Sequence, residues 1–277
     1  MSDAHPTQPL PPAAVPSARS SSAALRRRRR RRRLWPWVAV VLVLLLLVAG
    51  WFIAEPIVRG MVVDTVRTET IKALDLPADQ QLDVELEGQV LPQLIMGRLD
   101  ALTVSSDEVT LGPLTGAVVV HGTGIPIRGG GAADTASATL RLNEQQVRDL
   151  LATVEGLPAA TVTLDEPVVR FETELQVLVT VPVGVSLRPS AVGGDLVLTP
   201  DSLRVGGADI PAQALVDQFG AIARTVVRDW DVCIAQYLPA GVTLDRVEVK
   251  GKEIVADAVI DGRIVSDPTL QDNGVCD

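Results

Sequence analysis

Hydrophobic and polar residues follow different patterns along this chain, and the first pattern predicts a membrane-spanning helix. From Leu34 to Ala54 there are 21 residues without a charge. A helix of that length crosses the roughly 30 Å hydrocarbon core of a bilayer. Trp35, Trp37 and Trp51 lie near its two ends, where indole rings prefer the headgroup region. We therefore predict one transmembrane helix here.

The residues after this segment predict a helix followed by many strands. Residues 56–76 have an apolar side and a charged side, as a helix does, and Pro77 ends that pattern. Strict alternation over residues 81–87 and, at greatest length, 175–183 predicts half-buried strands. Further strands are predicted at residues 99–105, 117–121, 137–142, 195–198, 202–205, 242–249 and 254–260.

Two more helices are predicted among these strands. A short one starts at Asn143, where Gln146 completes a capping box. A long one is expected from Pro211 to about Leu238. Its apolar positions, which step by four, three, four and four residues, are Leu215, Phe219, Ile222, Val226 and Trp230. The whole pattern predicts an α+β fold in which a curved antiparallel sheet wraps around a long helix, preceded by the transmembrane helix.

Eight consecutive arginines, Arg26–Arg33, precede the apolar segment and set its orientation. Basic residues beside a membrane span stay in the cytoplasm, so the N-terminus is expected inside and the rest of the chain outside. A nucleic-acid arm would more often contain lysines and interleaved aromatics, so we expect no nucleic-acid partner. A cleaved signal peptide remains the alternative, because Val48-Ala49-Gly50 has the small residues of a cleavage site.

Charge is divided unevenly between the two parts of the chain. Residues 1–54 contain nine arginines and one acid, which leaves 16 basic and 33 acidic residues in 55–277, a net charge of −17. A lipid partner of such an acidic domain must be held mainly by apolar contact. We expect a disordered cytoplasmic tail at 1–25, the arginine run and anchor at 26–54, and one exported domain at 55–277.

The two cysteines, Cys233 and Cys276, both fall in the expected exported domain. An even number of cysteines in an oxidising compartment favours a disulfide, which would tie the C-terminal tail to the end of the predicted long helix. The alternative is a pair of independent free thiols.

Motifs for catalysis are missing from the sequence. There are only two histidines, His5 and His121, and no Gly-x-Ser-x-Gly, HExxH, clustered Cys/His or Walker A motif. Asp229 and Asp231, which flank Trp230 near the end of the predicted helix, are the most suggestive acids, although solvated acids on a helix face are the favoured interpretation. We predict no catalytic residue, no metal and no cofactor, and hence a protein that is not an enzyme.

Two segments resemble a known family. Residues 237–265, YLPAGVTLDRVEVKGKEIVADAVIDGRIV, and residues 91–112, LPQLIMGRLDALTVSSDEVTLG, resemble blocks of the LmeA family of phospholipid-binding proteins from actinobacterial envelopes. The matching residues are Gly97, Arg98, Leu99, Leu238, Pro239, Gly241 and Val242. The order of anchor, helix, strands and second helix agrees as well, and the resemblance covers about residues 55–265.

This resemblance implies a fold like that of the tubular lipid-binding proteins, with an apolar groove for acyl chains between helix and sheet. The residues expected to line the groove are Met61, Val62, Leu215, Phe219, Ile222 and Val226. Arg98 is a candidate for the lipid phosphate, although a solvent-facing arginine at the end of a strand is the favoured interpretation.

The predicted function is phospholipid binding by a protein of the cytoplasmic membrane, in support of envelope lipid or lipoglycan maturation or transport. Phospholipid, the membrane and proteins of envelope biosynthesis are the expected partners. The alternative is a non-enzymatic ectodomain with a filled core that binds a protein or a glycan.

Overall fold

A computed structural model describes residues 23–73, 76–111, 114–128, 130–152, 161–176 and 180–276. The chain divides into two compact units, residues 1–53 and Ala54–Asp277. Most of the cytoplasmic tail predicted at residues 1–25 lies outside the described residues. Helix α1 spans Ala23–Ala73, and most of its apolar segment belongs to the first unit.

Among the described residues, the stretch Trp35–Lys72 of α1 contains a segment long and apolar enough to cross a membrane. Length and composition of this kind fit a membrane anchor, and they fit a signal sequence near an N-terminus equally. The helix predicted at residues 56–76 is present as the last part of α1 and reaches Ala73.

The second unit contains twelve strands and four further helices in its described part. The strands are β1 Asp83–Leu86, β2 Arg98–Leu111, β3 Leu114–Pro126, β4 Thr135–Asn143, β5 Thr161–Asp165, β6 Val168–Gln176, β7 Thr180–Val192, β8 Asp195–Val205, β9 Ala208–Pro211, β10 Trp230–Val232, β11 Val242–Lys250 and β12 Glu253–Ile260. The helices are α2 Val90–Met96, α3 Glu144–Ala152, α4 Ala212–Phe219 and α5 Ala221–Val226.

These strands form two antiparallel sheets. The first sheet has the order β1-β2-β3-β4-β12-β11, and the second has β10-β8-β7-β6-β5 with β9 paired to β8. The sheets meet where β11, an edge strand of the first sheet, packs beside β7 of the second. The α+β class and the antiparallel pairing are therefore as the alternation predicted.

Helix α3 begins with the capping box that the sequence predicts. The Asn143 side chain accepts hydrogen bonds from the backbone N–H groups of Gln145 and Gln146, at 2.9 and 3.0 Å. The Gln146 side-chain oxygen accepts from the Asn143 backbone N–H at 2.9 Å. Three backbone N–H groups at the start of the helix are satisfied in this way.

The long helix predicted from Pro211 to Leu238 is wrong. Gly220, with φ of 57°, separates α4 from α5, and α5 ends at Val226. A left-handed glycine cannot continue an α-helix, and it costs little only because glycine lacks a Cβ. Trp230–Val232 then forms β10, whose Trp230 pairs with Leu198 of β8.

The single strand predicted at residues 175–183 is also wrong. Leu175 pairs with Val181, and Gln176 pairs with Thr180, so the segment is the tip of the β6–β7 hairpin. Residues 177–179 lie outside the described part of the chain. Alternation continues through both arms of a hairpin, so the pattern alone does not reveal the turn.

Candidate functional site

The register of the first sheet divides its side chains into an apolar face and a mostly polar face. Residues opposite one another in antiparallel strands point to the same face, and successive residues alternate. Reading the pairings across β1 to β11 places the following residues on the apolar face: Val84, Leu86, Leu102, Val104, Val118, Val120, Ala136, Ala138, Leu140, Leu142, Val242, Leu244, Val247, Val249, Ile254, Ala256, Ala258 and Ile260.

The opposite face is held together by polar side chains that bridge neighbouring strands. The hydroxyl of Thr139 donates to the Asp257 carboxylate at 2.7 Å. The Thr103 hydroxyl lies 3.0 Å from the His121 ring nitrogen. These hydrogen bonds, and the other serines and threonines of this face, are suited to contact with water. The polar face is therefore the side of the first sheet that faces solvent.

One part of the apolar face is covered by helices of the same unit. This first cluster consists of buried Leu86, Val90 and Leu99 with partly buried Val58, Val62, Val63, Leu94, Leu102 and Ile125. It joins the last part of α1 and helix α2 to the β1, β2 and β3 strands. Burial of these aliphatic side chains fixes both helices on the sheet.

A different part of the face is covered by the second sheet. This second cluster consists of buried Leu142, Val147, Val162, Leu164, Val169 and Val249 with partly buried Leu140, Phe171 and Ile254. Val162, Leu164 and Val169 come from β5 and β6, whereas Val147 comes from α3. The apolar faces of the two sheets therefore meet at this cluster.

Between the two clusters, an apolar strip remains half-exposed. We define the apolar strip as Val104, Val118, Val120, Ala136, Ala138, Ala256 and Ala258, which all have intermediate burial and belong to neither cluster. The strip crosses β2, β3, β4 and β12, a width of about 14 Å at the usual spacing of strands.

Small side chains lie at the centre of the strip. Ala138 pairs with Ala258, and Ala136 pairs with Gly122, which the Ile125 side chain approaches. Valines of β2 and β3 complete the strip. The strip therefore has the aliphatic lining that an acyl chain needs.

A polar cleft of about 480 Å³ lies beside one margin of the strip. It is lined by Pro77, Asp79, Gln80, Gln81, Asp83, Ser106, Asp107, Glu108 and Thr110. Ser106, which pairs with Val118 of the strip, marks the border between cleft and strip. Carboxylates and amides make this cleft unsuitable for hydrocarbon. The surface suited to acyl chains is therefore the strip and not the cleft.

Charged groups near the second cluster form surface ion pairs. The Lys252 ammonium donates to Asp165 at 3.2 Å, and this contact, more than the nearby Arg170, holds the pKa of Asp165 below its ordinary value. The guanidinium of Arg204 lowers the pKa of Asp209 in the same way. Within the described residues, no group of three histidine, cysteine or acidic side chains is placed to hold a metal ion.

The residues predicted to line the groove lie in different places. Val62 packs in the first cluster, whereas Met61, on the same helix, is 64% exposed. Leu215 and Phe219 belong to α4, which packs on β8 and β9 of the second sheet, and Phe219 is 55% exposed. The side chains of Ile222 and Val226 lie outside the described part of the structure.

Arg98 and the cysteines have definite partners. The Arg98 guanidinium forms an ion pair with Asp134 at the start of β2. Cys233 and Cys276 form a disulfide, as the even cysteine count predicted. The suggestive acid Asp231 is in strand β10 and is exposed, so it does not lie at a helix end.

Sequence reasoning missed the apolar strip itself. Its signal is present in the alternation of Ala136, Ala138, Leu140 and Leu142 along β4, which predicts one apolar face. The alternation does not reveal which half of that face other elements cover, because the cover depends on residues distant in sequence.

Comparison with known proteins gives one result. A family model described as LmeA-like phospholipid-binding matches residues 53–258. No curated protein and no solved structure matches the chain.

Proposed function

The chain belongs to the LmeA-like phospholipid-binding family, as the resemblance predicted, and we propose that its apolar strip holds the acyl chains of a phospholipid. The observation that carries this proposal is a half-exposed, wholly aliphatic stretch of sheet between two packed clusters. The family supplies the ligand class, and the register of the strands supplies the surface.

Apolar contact alone is sufficient to retain such a ligand. Each buried methylene contributes about 0.8 kcal/mol, so ten methylenes on the strip contribute about 8 kcal/mol before the cost of ordering the chain. No positive charge is needed for this term, which agrees with the net charge of −17 in residues 55–277. The headgroup would remain at the margin of the strip, where water and polar side chains are available.

The exposed helix residues extend this proposal to the edges of the groove. Met61 and Phe219 present large apolar side chains to solvent, and we assign to them contact with the parts of the lipid that leave the strip. Contact of Leu215, Ile222, Val226 and Val62 with the acyl chains stays a prediction. Arg98, which is already paired with Asp134, would reach a phosphate only by exchanging that carboxylate for it.

We further propose a single-pass protein whose N-terminus is cytoplasmic and whose residues 55–277 lie outside the membrane. The arginine run before the apolar helix supports this orientation. A lipid-binding domain tethered to the bilayer is suited to envelope lipid or lipoglycan maturation or transport. It is also placed to meet proteins of envelope biosynthesis.

A substitution that fills the strip tests the proposal. Ala138→Trp places an indole on the strip, whereas Ser137→Trp places one on the opposite, polar face of the same strand. Both variants and the parent are purified, and the lipid they carry is extracted and counted by mass spectrometry. We expect Ala138→Trp to carry less than a tenth of the parental phospholipid and Ser137→Trp to carry an unchanged amount.

Circular dichroism and thermal unfolding check that both tryptophan variants are folded. If Ala138→Trp is folded and still carries the parental amount of lipid, the strip is not the binding surface. If the parent itself carries no phospholipid and gains none from vesicles, a domain that binds a protein or a glycan becomes the better interpretation.

A further inference from the structure

The last part of α1 and the chain that enters α2 run in opposite directions. Arg67 donates to the Leu82 carbonyl at 2.8 Å, and Arg59 donates to the Leu86 carbonyl at 2.6 Å. The Val90 backbone N–H donates to Glu55 at 2.6 Å. Increasing residue numbers in this segment are therefore matched with decreasing numbers in α1, towards Glu55.

This pairing identifies which end of the first sheet is near Glu55. The backbone N–H of Val90, the first residue of α2, donates to the Glu55 carboxylate. Strand β2 starts immediately after α2 and runs back along β1. Arg98 at the start of β2 pairs with Pro126 at the end of β3. Glu55 directly follows Ala54, the last residue of the uncharged segment. This end of the sheet is consequently the end nearest to Glu55.

Three exposed apolar side chains lie at this end of the sheet. Ile95 and Met96 at the end of α2 are 72% and 69% exposed. Ile127 is 38% exposed, and its backbone N–H donates to the Gly97 carbonyl at 3.0 Å, which places it beside α2. We name Ile95, Met96, Ile127 and Arg128 the proximal rim.

Arg128 gives the proximal rim a positive charge. Its side chain passes 3.6 Å from the position that a Cβ would occupy on Gly97, so it lies beside the exposed end of α2. Arg128 is exposed, and no carboxylate of the described residues lies within ion-pair distance of it. Aliphatic side chains next to an unpaired arginine suit the boundary between acyl chains and phosphates.

We propose that the proximal rim inserts into the surface of the bilayer to which the N-terminal helix is anchored, so that a lipid passes directly between bilayer and strip. This inference rests on the proposed function. A bilayer surface is favoured over a protein partner because Glu55, which accepts from the first N–H of α2, directly follows the uncharged segment in the sequence. It also contains no aromatic anchor of the kind that dominates protein interfaces.

The apolar strip extends to this same end of the sheet. Ala136 pairs with Gly122 of β3 and with Ile260 at the end of β12. Thr123, the residue after Gly122, is only a few residues from Ile127 along the chain. The apolar residues of the first cluster, Leu99, Leu102 and Ile125, lie between the rim and the strip.

Photo-cross-linking of the full chain in nanodiscs tests the inference. A benzophenone amino acid replaces Ile95, Ile127 or, as the control, Asp107. Asp107 is exposed and lies nine residues along β2 from Arg98, about 30 Å away at the rise of a strand. The discs contain phosphatidylcholine and phosphatidylglycerol. We expect lipid adducts at positions 95 and 127 to exceed those at 107 at least tenfold, and equal yields at the three positions would overturn the inference.

A kinetic measurement separates this inference from the proposed function. The double variant Ile95→Asp and Ile127→Asp is expected to take up fluorescent phospholipid from donor vesicles at least fivefold more slowly, yet to reach the parental final occupancy. An unchanged rate would overturn insertion of the rim and leave lipid binding by the strip intact. Loss of lipid in Ala138→Trp, by contrast, concerns the strip alone.

Discussion

Gln93 shows how one polar side chain fixes the position of a short helix. It is 1% exposed, and its amide nitrogen donates to the Glu87 carbonyl at 2.7 Å. Its amide oxygen accepts from the Asp100 backbone N–H at 3.1 Å. Gln93 therefore joins the segment before α2 to the strand after it, and satisfies two backbone groups that would otherwise be left without partners.

Replacing Gln93 with leucine leaves those two backbone groups unsatisfied. We expect Gln93→Leu to lower the free energy of unfolding by about 1–3 kcal/mol, measured by urea denaturation. Gln145→Leu, at an exposed position of α3, is the control and should change it by less than about 0.5 kcal/mol. Equal effects of the two substitutions would contradict a structural role for the buried amide.

Asp261 makes stability depend on pH in the acid range. The Arg263 side chain and backbone N–H donate to its carboxylate and lower its pKa from 3.8 to about 2. A lowered pKa in the folded state stabilises the fold above the ordinary pKa, and this contribution is lost as the pH falls from 3.8 towards 2. Asp261→Asn should therefore lose less stability over that window than the parent does.

Urea denaturation at several pH values between about 2 and 6 measures this difference. The other paired acids also titrate there, so the informative quantity is the difference between variant and parent at each pH. Parallel curves for the two proteins would show that the Asp261–Arg263 contact does not contribute to folding.

At the scale of single residues, the sequence predicted contacts that are local. The capping box of Asn143 and Gln146 is confirmed because both partners are three residues apart. The Arg98–Asp134 pair and the apolar strip were missed. Their members are brought together by strand register, which single-residue patterns do not specify.

Elements were predictable where the period was unambiguous, and the errors arose where two structures satisfy the same pattern. The spacing of apolar residues by three and four fits a helix through Trp230. Gly220 nevertheless has a positive φ, and Trp230 pairs with β8 as part of β10. The alternation of residues 175–183 fits one strand or two arms of a hairpin. Tertiary pairing decides between these alternatives, and local propensity does not.

The C-terminal tail is an element held by contacts distant in sequence. Gly274 donates to the Leu238 carbonyl at 2.9 Å, the Asn273 side chain donates to the Gln236 carbonyl at 3.0 Å, and the disulfide joins Cys233 to Cys276. The tail thus covers the segment between β10 and β11. The even cysteine count was the only signal for this arrangement in the sequence.

Removal of the disulfide should measurably weaken the fold. The two cysteines are 43 residues apart, and the cross-link restricts the unfolded chain by about 4 kcal/mol on the chain-entropy estimate. We expect the double variant Cys233→Ser and Cys276→Ser to unfold at a lower urea concentration, with the same change in the parent after reduction. Reduction of the double variant is the control and should have no effect.

On the scale of the whole molecule, buried apolar residues of the described part of the chain form two separate clusters. The faces meet at the cluster that contains Leu164, and the last part of α1 covers a second area. The apolar strip lies between these covered areas. In a protein of a phospholipid-binding family, we interpret this partly buried aliphatic surface as the place of the ligand.

The measurement that tests this account most directly is cross-linking from the lipid itself. The full chain in nanodiscs is irradiated with a phospholipid that carries a diazirine near the end of one acyl chain, and labelled residues are located by mass spectrometry. The account predicts labels in the second unit on strip residues such as Val120, Ala138 and Ala258, with few on Ser137 and Thr139 of the polar face. Labels confined to residues 34–54, or spread equally over both faces of the sheet, would contradict it.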